Sequence, residues 1–328
     1  MVNGILIVDK PAGWTSQDVV AKLRGVFHEK RVGHGGTLDP MATGVLPVFL
    51  GRATRAVPFF EHADKVYEAV LRLGLVTDTQ DITGRVLETH PVNITSEQFE
   101  AVLASFRGEI RQIPPMYSAI KVNGQKLYQL ARRGREVERE PRLVTIYELE
   151  RTGNRERGTG DGGRESAAVH AVGAAIGRQP EAAASVRQEA TGDGATVNCR
   201  LRIHCSKGTY VRTLCHDIGA ALGCGGCMAA LRRTRAGRYG IEQAHSLDQI
   251  LAAPEPERLL LPVDSLFADR PALTVTAAAE RRLRNGAAVP APKAADGECR
   301  VYGPGGDFLL LGEVQNGELR TVRSFFDV

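Results

Sequence analysis

Gly33-His34-Gly35-Gly36-Thr37-Leu38-Asp39-Pro40-Met41-Ala42-Thr43-Gly44-Val45-Leu46-Pro47 places one carboxylate, Asp39, in a loop otherwise made of glycine, small residues and proline. Glycines permit positive φ and let another molecule approach the backbone closely. Pro40 biases the residue before it toward an extended conformation, so Asp39 is predicted to lie outside any helix. An aspartate in a turn commonly bonds its own backbone. The gathering of His34, Thr37, Asp39 and Thr43 in one rigid loop, ahead of an apolar run, is more than a turn requires.

The surrounding chain is ordinary globular material. Its 328 residues are 43% hydrophobic and 24% charged, enough for one large domain and a small one. A net charge of +4 does not by itself predict nucleic-acid binding. Arg132-Arg133-Gly134-Arg135 and Arg232-Arg233-Thr234-Arg235 are short basic groups suited either to phosphates or to a solvated face. No apolar run reaches membrane-spanning length. Met1 to Asp9 acquires an acid too early for a signal peptide. Six cysteines in a chain of this size fit a reduced cytoplasm. Cys224-Gly225-Gly226-Cys227 lacks a second pair at zinc-site spacing, so it reads as structural cysteines in a tight turn, with no metal.

Hydrophobic periodicity supplies the elements. Gly4 to Val8 reads as a strand, and Ser16 as the cap of a helix through Val19, Val20, Leu23, Val26 and Phe27. Arg52 to His62 reads as helix, Tyr67 to Leu73 as strand, and Thr95 to Gln98 as a capping box. Lys126 to Arg133 and Thr209 to Leu222 read as helices closed by glycine. Val144 to Leu149, Val197 to Cys205 and Leu231 to Tyr239 read as strands. The 152–196 stretch, rich in Gly, Ala, Arg and Glu, is predicted to be a disordered or loosely helical insertion. From about Pro271 a helix over Ala277 to Asn285 and three short strands form a small separate module.

The loop, read as GHGGTLDPMATGVLPVFLG, resembles the signature of the bacterial tRNA pseudouridine synthase B (TruB) family. The likeness extends to Asp9-Lys10-Pro11, Lys65-Val66-Tyr67, Ile113 to Ala119, His204 to Thr213 and Leu231-Arg232-Arg233-Thr234, in the family's order. It implies an α+β pseudouridine-synthase fold: a mixed, largely antiparallel sheet flanked by helices over residues 1–265, with a PUA-like RNA-binding domain over 270–328. It implies isomerisation of the T-loop uridine 55 of tRNA, with no cofactor, by a cytoplasmic monomer without membrane or protein partner. A non-catalytic RNA-binding or tRNA-folding module is the competing reading.

By the same resemblance Asp39 is the nucleophile or base, Arg212 its cationic partner and Tyr67 the residue that stacks on uracil and relays the C5 proton. Tyr210 and Leu231 line the uridine pocket, His34 meets the flipped nucleotide, and Lys10 and Lys207 contact phosphates. Arg132, Arg133 and Arg135 follow the RNA backbone from a segment that closes over the T-arm. The general chemistry agrees: a buried carboxylate without a cationic partner takes up a proton, and a base stacked in RNA has to be extruded before it reacts. Whether Asp39 attacks C1′ or C6, or assists glycal formation, is left open. Gly35 departs from the family's usual Thr, which predicts a looser loop or one lost RNA contact.

Overall fold

The computed structural model describes residues 2–118, 120–122, 124–131, 133–152 and 196–326. Arg132 and the body of the expected insertion, 153–195, lie outside them.

The continuous apolar run of β1 (Gly4–Lys10) is buried along nearly its whole length. Helix α1 (Ser16–Val26) turns Val19, Val20 and Leu23 inward. Its cap is Thr15 and not the expected Ser16: Thr15 and Asp18 exchange side-chain and backbone hydrogen bonds in a closed capping box. Ser16 instead points inward, where its hydroxyl accepts from the Leu38 amide at 2.9 Å. The Asp39 loop connects β2 (Val32–His34) to β3 (Thr43–Leu50), which pair antiparallel. The helix expected after β3 is a 3-10 turn, Gly51–Ala56, running into a single α-turn, α2 (Val57–Phe60), with Pro58 at its start.

Then follow β4 (Lys65–Leu73), β5 (Leu75–Thr77), β6 (Val86–Thr89), α3 (Ser96–Ser105) and β7 (Gly108–Gln112). The Thr95–Gln98 capping box opens α3 as the sequence predicts. Next come β8 (Lys121–Val122), β9 (Gln125–Lys126), α4 (Leu127–Ala131), β10 (Arg142–Thr152), β11 (Val197–Cys205), α5 (Val211–Ala221), β12 (Gly226–Ala236), β13 (Tyr239–Gly240), β14 (His245–Ser246) and α6 (Leu247–Ala252). Strand β12 starts five residues before the predicted Leu231, because its first residues pair with Leu73, Arg72 and Leu71 of β4.

The main sheet runs β14-β1-β3-β12-β4-β11-β10-β7, with β2 added to β3 and β13 to β12. Only β1/β14 and β3/β12 are parallel. The β3/β12 join consists of two residue pairs, Thr43 with Arg232 and Gly44 with Arg233. Gly44 has φ +98°, and a β-carbon there would run into the Arg233 backbone. Glycine thus permits the contact that returns the Asp39 loop to the sheet. Helices α3 and α5 seal one core over β4, β10, β11 and β12, and α1 and α6 seal another over β1 and β3.

The C-terminal module comprises β15 (Ala272–Thr274), α7 (Ala277–Arg284), β16 (Val289–Pro290), β17 (Gly297–Tyr302), β18 (Phe308–Gln315) and β19 (Glu318–Ser324). Its sheet order is β15-β17-β18-β19-β16, around its own core. Phe308, Leu311 and Phe325 also pack with Phe267, Val263 and Phe49 of the main body, so the module is docked through apolar surface.

Leu71 is fully buried in the central strand β4, between β11 and β12. Leu71→Ala is expected to cost roughly 3 kcal/mol in urea unfolding. A loss below about 1 kcal/mol contradicts this central placement.

Candidate active site

Asp39 is held by a guanidinium. Arg212 Nε lies 2.9 Å from Asp39 Oδ2, and Arg212 Nη2 donates to Oδ1 at 3.3 Å, a forked pair. The arginine is itself immobilised: Nη1 donates to the Thr79 carbonyl at 3.2 Å and Nη2 to the Tyr117 carbonyl at 2.8 Å. Its side chain is 5% exposed, whereas Asp39 keeps 34% of its side chain open. Arg212 stands in the first turn of α5, which starts two residues later than Thr209, the predicted start. Gln112, at the end of β7, brackets the residue before the helix by accepting from the Tyr210 amide and donating to its carbonyl.

A second carboxylate stands behind the pair. Asp81 Oδ2 is 4.0 Å from Arg212 Nε, and Asp81 accepts from the Thr79 and Thr83 hydroxyls and the Thr83 amide. Burial pushes the Asp39 carboxyl above the ordinary carboxylate value; Arg212 pulls it down and Asp81 pushes it up. The guanidinium therefore opposes the cost of burial without cancelling it.

Three buried groups fix the loop. Lys10, with no exposed surface, donates to the carbonyls of Pro11 at 2.8 Å, Trp14 at 2.7 Å and Pro40 at 3.3 Å. Burial brings its ammonium down to about 8, with Asp39 raising it and Arg233 lowering it. Arg233, 1% exposed, donates to the carbonyls of Val45 at 2.7 Å, Gly36 at 3.0 Å and Thr37 at 3.5 Å. Ser16 holds Leu38.

Tyr67 and Leu231 share one apolar cluster with Leu38 and Met41, beside the acid. Tyr67 sits opposite Arg233 in the β4/β12 ladder. Burial raises its phenol, while charge and a hydrogen bond from Arg233 lower it. Burial likewise raises Tyr210. His34 Nδ1 is buried without a hydrogen-bond partner among the described residues. Burial, then Arg233, lowers its pKa below the usual 6.5, which favours the neutral ring. Lys207 is exposed, 2.8 Å from His62 Nδ1.

Sequence comparison matches this arrangement to known proteins. Three family profiles fit in succession: "TruB family pseudouridylate synthase (N terminal domain)" over residues 24–160, "tRNA pseudouridylate synthase B C-terminal domain" over 212–268, and "Pseudouridine synthase II TruB, C-terminal" over 271–324. A tRNA pseudouridine synthase B of Azoarcus sp. is 41% identical over 98% of this chain and 95% of its own. The chain belongs to the TruB family. A further tRNA pseudouridine synthase B, from Thermobifida fusca, is 39% identical over 99% of both chains. The fold matches a chain from an H/ACA RNP bound to a substrate RNA containing 2′-deoxyuridine, with TM-score 0.65 and 21% identity over 99% of this chain and 85% of that one. A Cbf5-Nop10-Gar1 complex gives 0.64 and 24% over 98% and 85%. At these identities the likeness is one of fold.

Against the TruB expectations, the structure brings Asp39, Arg212, Tyr67, Tyr210 and Leu231 together and leaves Lys207 exposed beside His62. It overturns one phosphate contact: Lys10 is buried and its ammonium is occupied by three carbonyls. The 232–235 cluster is divided: Arg233 is buried, whereas Arg232 is half-buried and Arg235 exposed. Arg232 is forked onto Asp9, and Arg235 meets Asp64. Arg133 and Arg135 do lie exposed. Gly35 does not loosen the loop, since the space a side chain would take is filled by Phe60 and Phe49. Asp81 and Gln112 were not singled out from the sequence, and Arg233 was read only as part of a basic cluster and a family motif; the Asp78 to Thr83 segment read only as a polar loop. All six cysteines are free and buried, and burial pushes the Cys227 thiol up to about 11.

Two predictions follow from this geometry. Lys10→Met strands three carbonyls and is expected to destabilise the fold by about 2 kcal/mol. The salt dependence of RNA binding should stay unchanged, whereas Lys207→Ala lowers it; a reduced salt slope in Lys10→Met contradicts the burial. An acid with a raised pKa loses its charge as pH falls through a value above the ordinary one. Turnover that needs the Asp39 carboxylate therefore fails on the acid side at a pH above 3.8. Arg212→Gln removes the downward pull, so its residual pH–rate profile should move further up; a downward move contradicts the pairing.

Proposed function

We propose that this chain isomerises uridine 55 in the T-loop of tRNA to pseudouridine, with Asp39 as the reacting carboxylate and Arg212 as its charge partner. One observation carries the reading: an open carboxylate forked to a buried, immobilised guanidinium, beside the Tyr67 ring and Leu231. The names of the relatives, tRNA pseudouridine synthase B, supply the substrate class.

The reaction breaks the C1′–N1 bond, turns the uracil and joins C5 to C1′; C5 loses a proton and N1 gains one, so the formula is unchanged. It is redox-neutral and needs no cofactor. Extruding the uridine costs a few kcal/mol and is met by the pocket around Tyr67, Leu231 and Tyr210. The half-buried His34 ring meets the flipped nucleotide. Attack at C1′, addition at C6 and assistance to glycal formation all require the same ionised Asp39, which the forked Arg212 favours over the protonated form. Tyr67 stacks on the base and relays the C5 proton.

We further assign residues 1–265 to the catalytic domain and 270–328 to an RNA-binding module. Lys207, Arg133 and Arg135 supply phosphate contacts that position the T-arm without reading sequence. The protein acts as a monomer in the cytoplasm. No helix among the described residues is long and apolar enough to cross a membrane.

T-arm RNA incubated with the protein should acquire pseudouridine at position 55. Asp39→Asn should bind the same RNA with unchanged affinity and form none. Near-normal yield from Asp39→Asn contradicts its role, and wild-type binding without any product favours the non-catalytic tRNA-folding reading.

A further inference from the structure

We propose that Phe60 is a positioning residue for the catalytic loop, its ring serving as the floor on which His34 to Asp39 rests. The proposal builds on the isomerase reading of Asp39. A β-carbon on Gly35 would lie 2.5 Å from Phe60 Cδ1, 2.9 Å from Phe60 Cε1 and 3.0 Å from Phe49 Cε2. Unbonded carbons settle at roughly 3.5–4.0 Å, so any side chain at Gly35 has to displace either the ring or the loop by about 1 Å. Gly35 is not among the residues with positive φ. Its demand for glycine is therefore steric, imposed by the ring below.

The ring has no room to retreat. Phe60 is 1% exposed. At its far edge, Gly237 stands so close that a β-carbon there would be 3.0 Å from Phe60 Cε2. Phe49 and Tyr239 flank it, each with its ring centroid 5.9 Å away. The short helix that presents it is gripped as well: Phe59 meets Phe267 edge-on at 5.4 Å, and Phe267 packs at 6.0 Å against Phe325, just beyond the last strand of the C-terminal module.

Hydrogen bonds hold the loop against this floor. Gly35 N donates to the Pro47 carbonyl at 2.8 Å, and Arg233 holds Gly36. These bonds draw the backbone inward and Phe60 stops it. The stopping distance sets the height of Asp39, four residues on, relative to Arg212 and Tyr67. The usual TruB threonine after His34 has no space above this phenylalanine, so residues 35 and 60 are a matched pair in this chain.

The test is a double-mutant cycle on single-turnover pseudouridine formation, with tRNA affinity measured in parallel. Gly35→Ala is expected to slow the reaction about 100-fold, the order that a 1 Å misplacement costs, with tRNA affinity unchanged. Phe60→Leu should slow it about tenfold by the same misplacement. The double variant should be at least about tenfold faster than Gly35→Ala, because the smaller side chain makes room for the added methyl. Gly35→Ala at the wild-type rate, or a double variant no faster than Gly35→Ala, overturns the proposal. If Gly35→Ala does not fold, Phe60→Leu decides alone, and a wild-type rate there overturns it. Wild-type protein that makes no pseudouridine instead overturns the reading of Asp39 on which the proposal builds.

Discussion

The rest of the site depends on one ion pair, the fork between Arg212 and Asp39. Asp39 is partly desolvated, and desolvation favours its neutral form. The protein answers with a guanidinium whose own freedom has been removed. Arg212 is bound to the carbonyls of Thr79 and Tyr117 before it meets Asp39, so its donors are aimed and not merely nearby. Asp81 lies behind the same guanidinium, so Arg212 serves two acids while only Asp39 has open surface. That asymmetry separates the acid that is open to a ligand from the acid that supports the pair.

An arginine can hold an acid only if the acid is delivered to it. Delivery is the task of the loop between β2 and β3, which has little side-chain bulk of its own. Its shape is imposed from below by Lys10, Ser16 and Arg233 and by the aromatic ring of Phe60. Buried cations usually need carboxylate partners. Here two of them are satisfied by backbone carbonyls, which confers rigidity without neutralising Asp39.

The residues gathered around Asp39 were legible in the sequence because they lie in short motifs of distinctive side-chain type. Asp39, Arg212, Tyr67, Tyr210 and Leu231 come from short motifs whose order alone identified the family. Elements with strong local signals were equally legible, such as the Thr95–Gln98 cap and β11. The direction in which a long side chain points was not legible. Lys10 and Arg233 look like surface cations in one dimension, and Arg233 reaches a carbonyl 188 residues away. Nor does local pattern report a close approach. Gly35 reads as a missing hydroxyl until Phe60, on another element, is seen to occupy its space. The cap of α1 was misread by one residue because Thr15 and Ser16 are both good caps, and only the Leu38 amide decides between them.

The most direct test of the central pair is Arg212→Lys, which preserves the positive charge but loses the planar fork. Single-turnover pseudouridine formation on tRNA should fall about 100-fold through misplacement of the acid, with tRNA affinity and thermal stability close to wild type. A folded Arg212→Lys variant that turns over at the wild-type rate would contradict the account, because charge alone would then suffice and the geometry described here would not be what holds Asp39 in its working state.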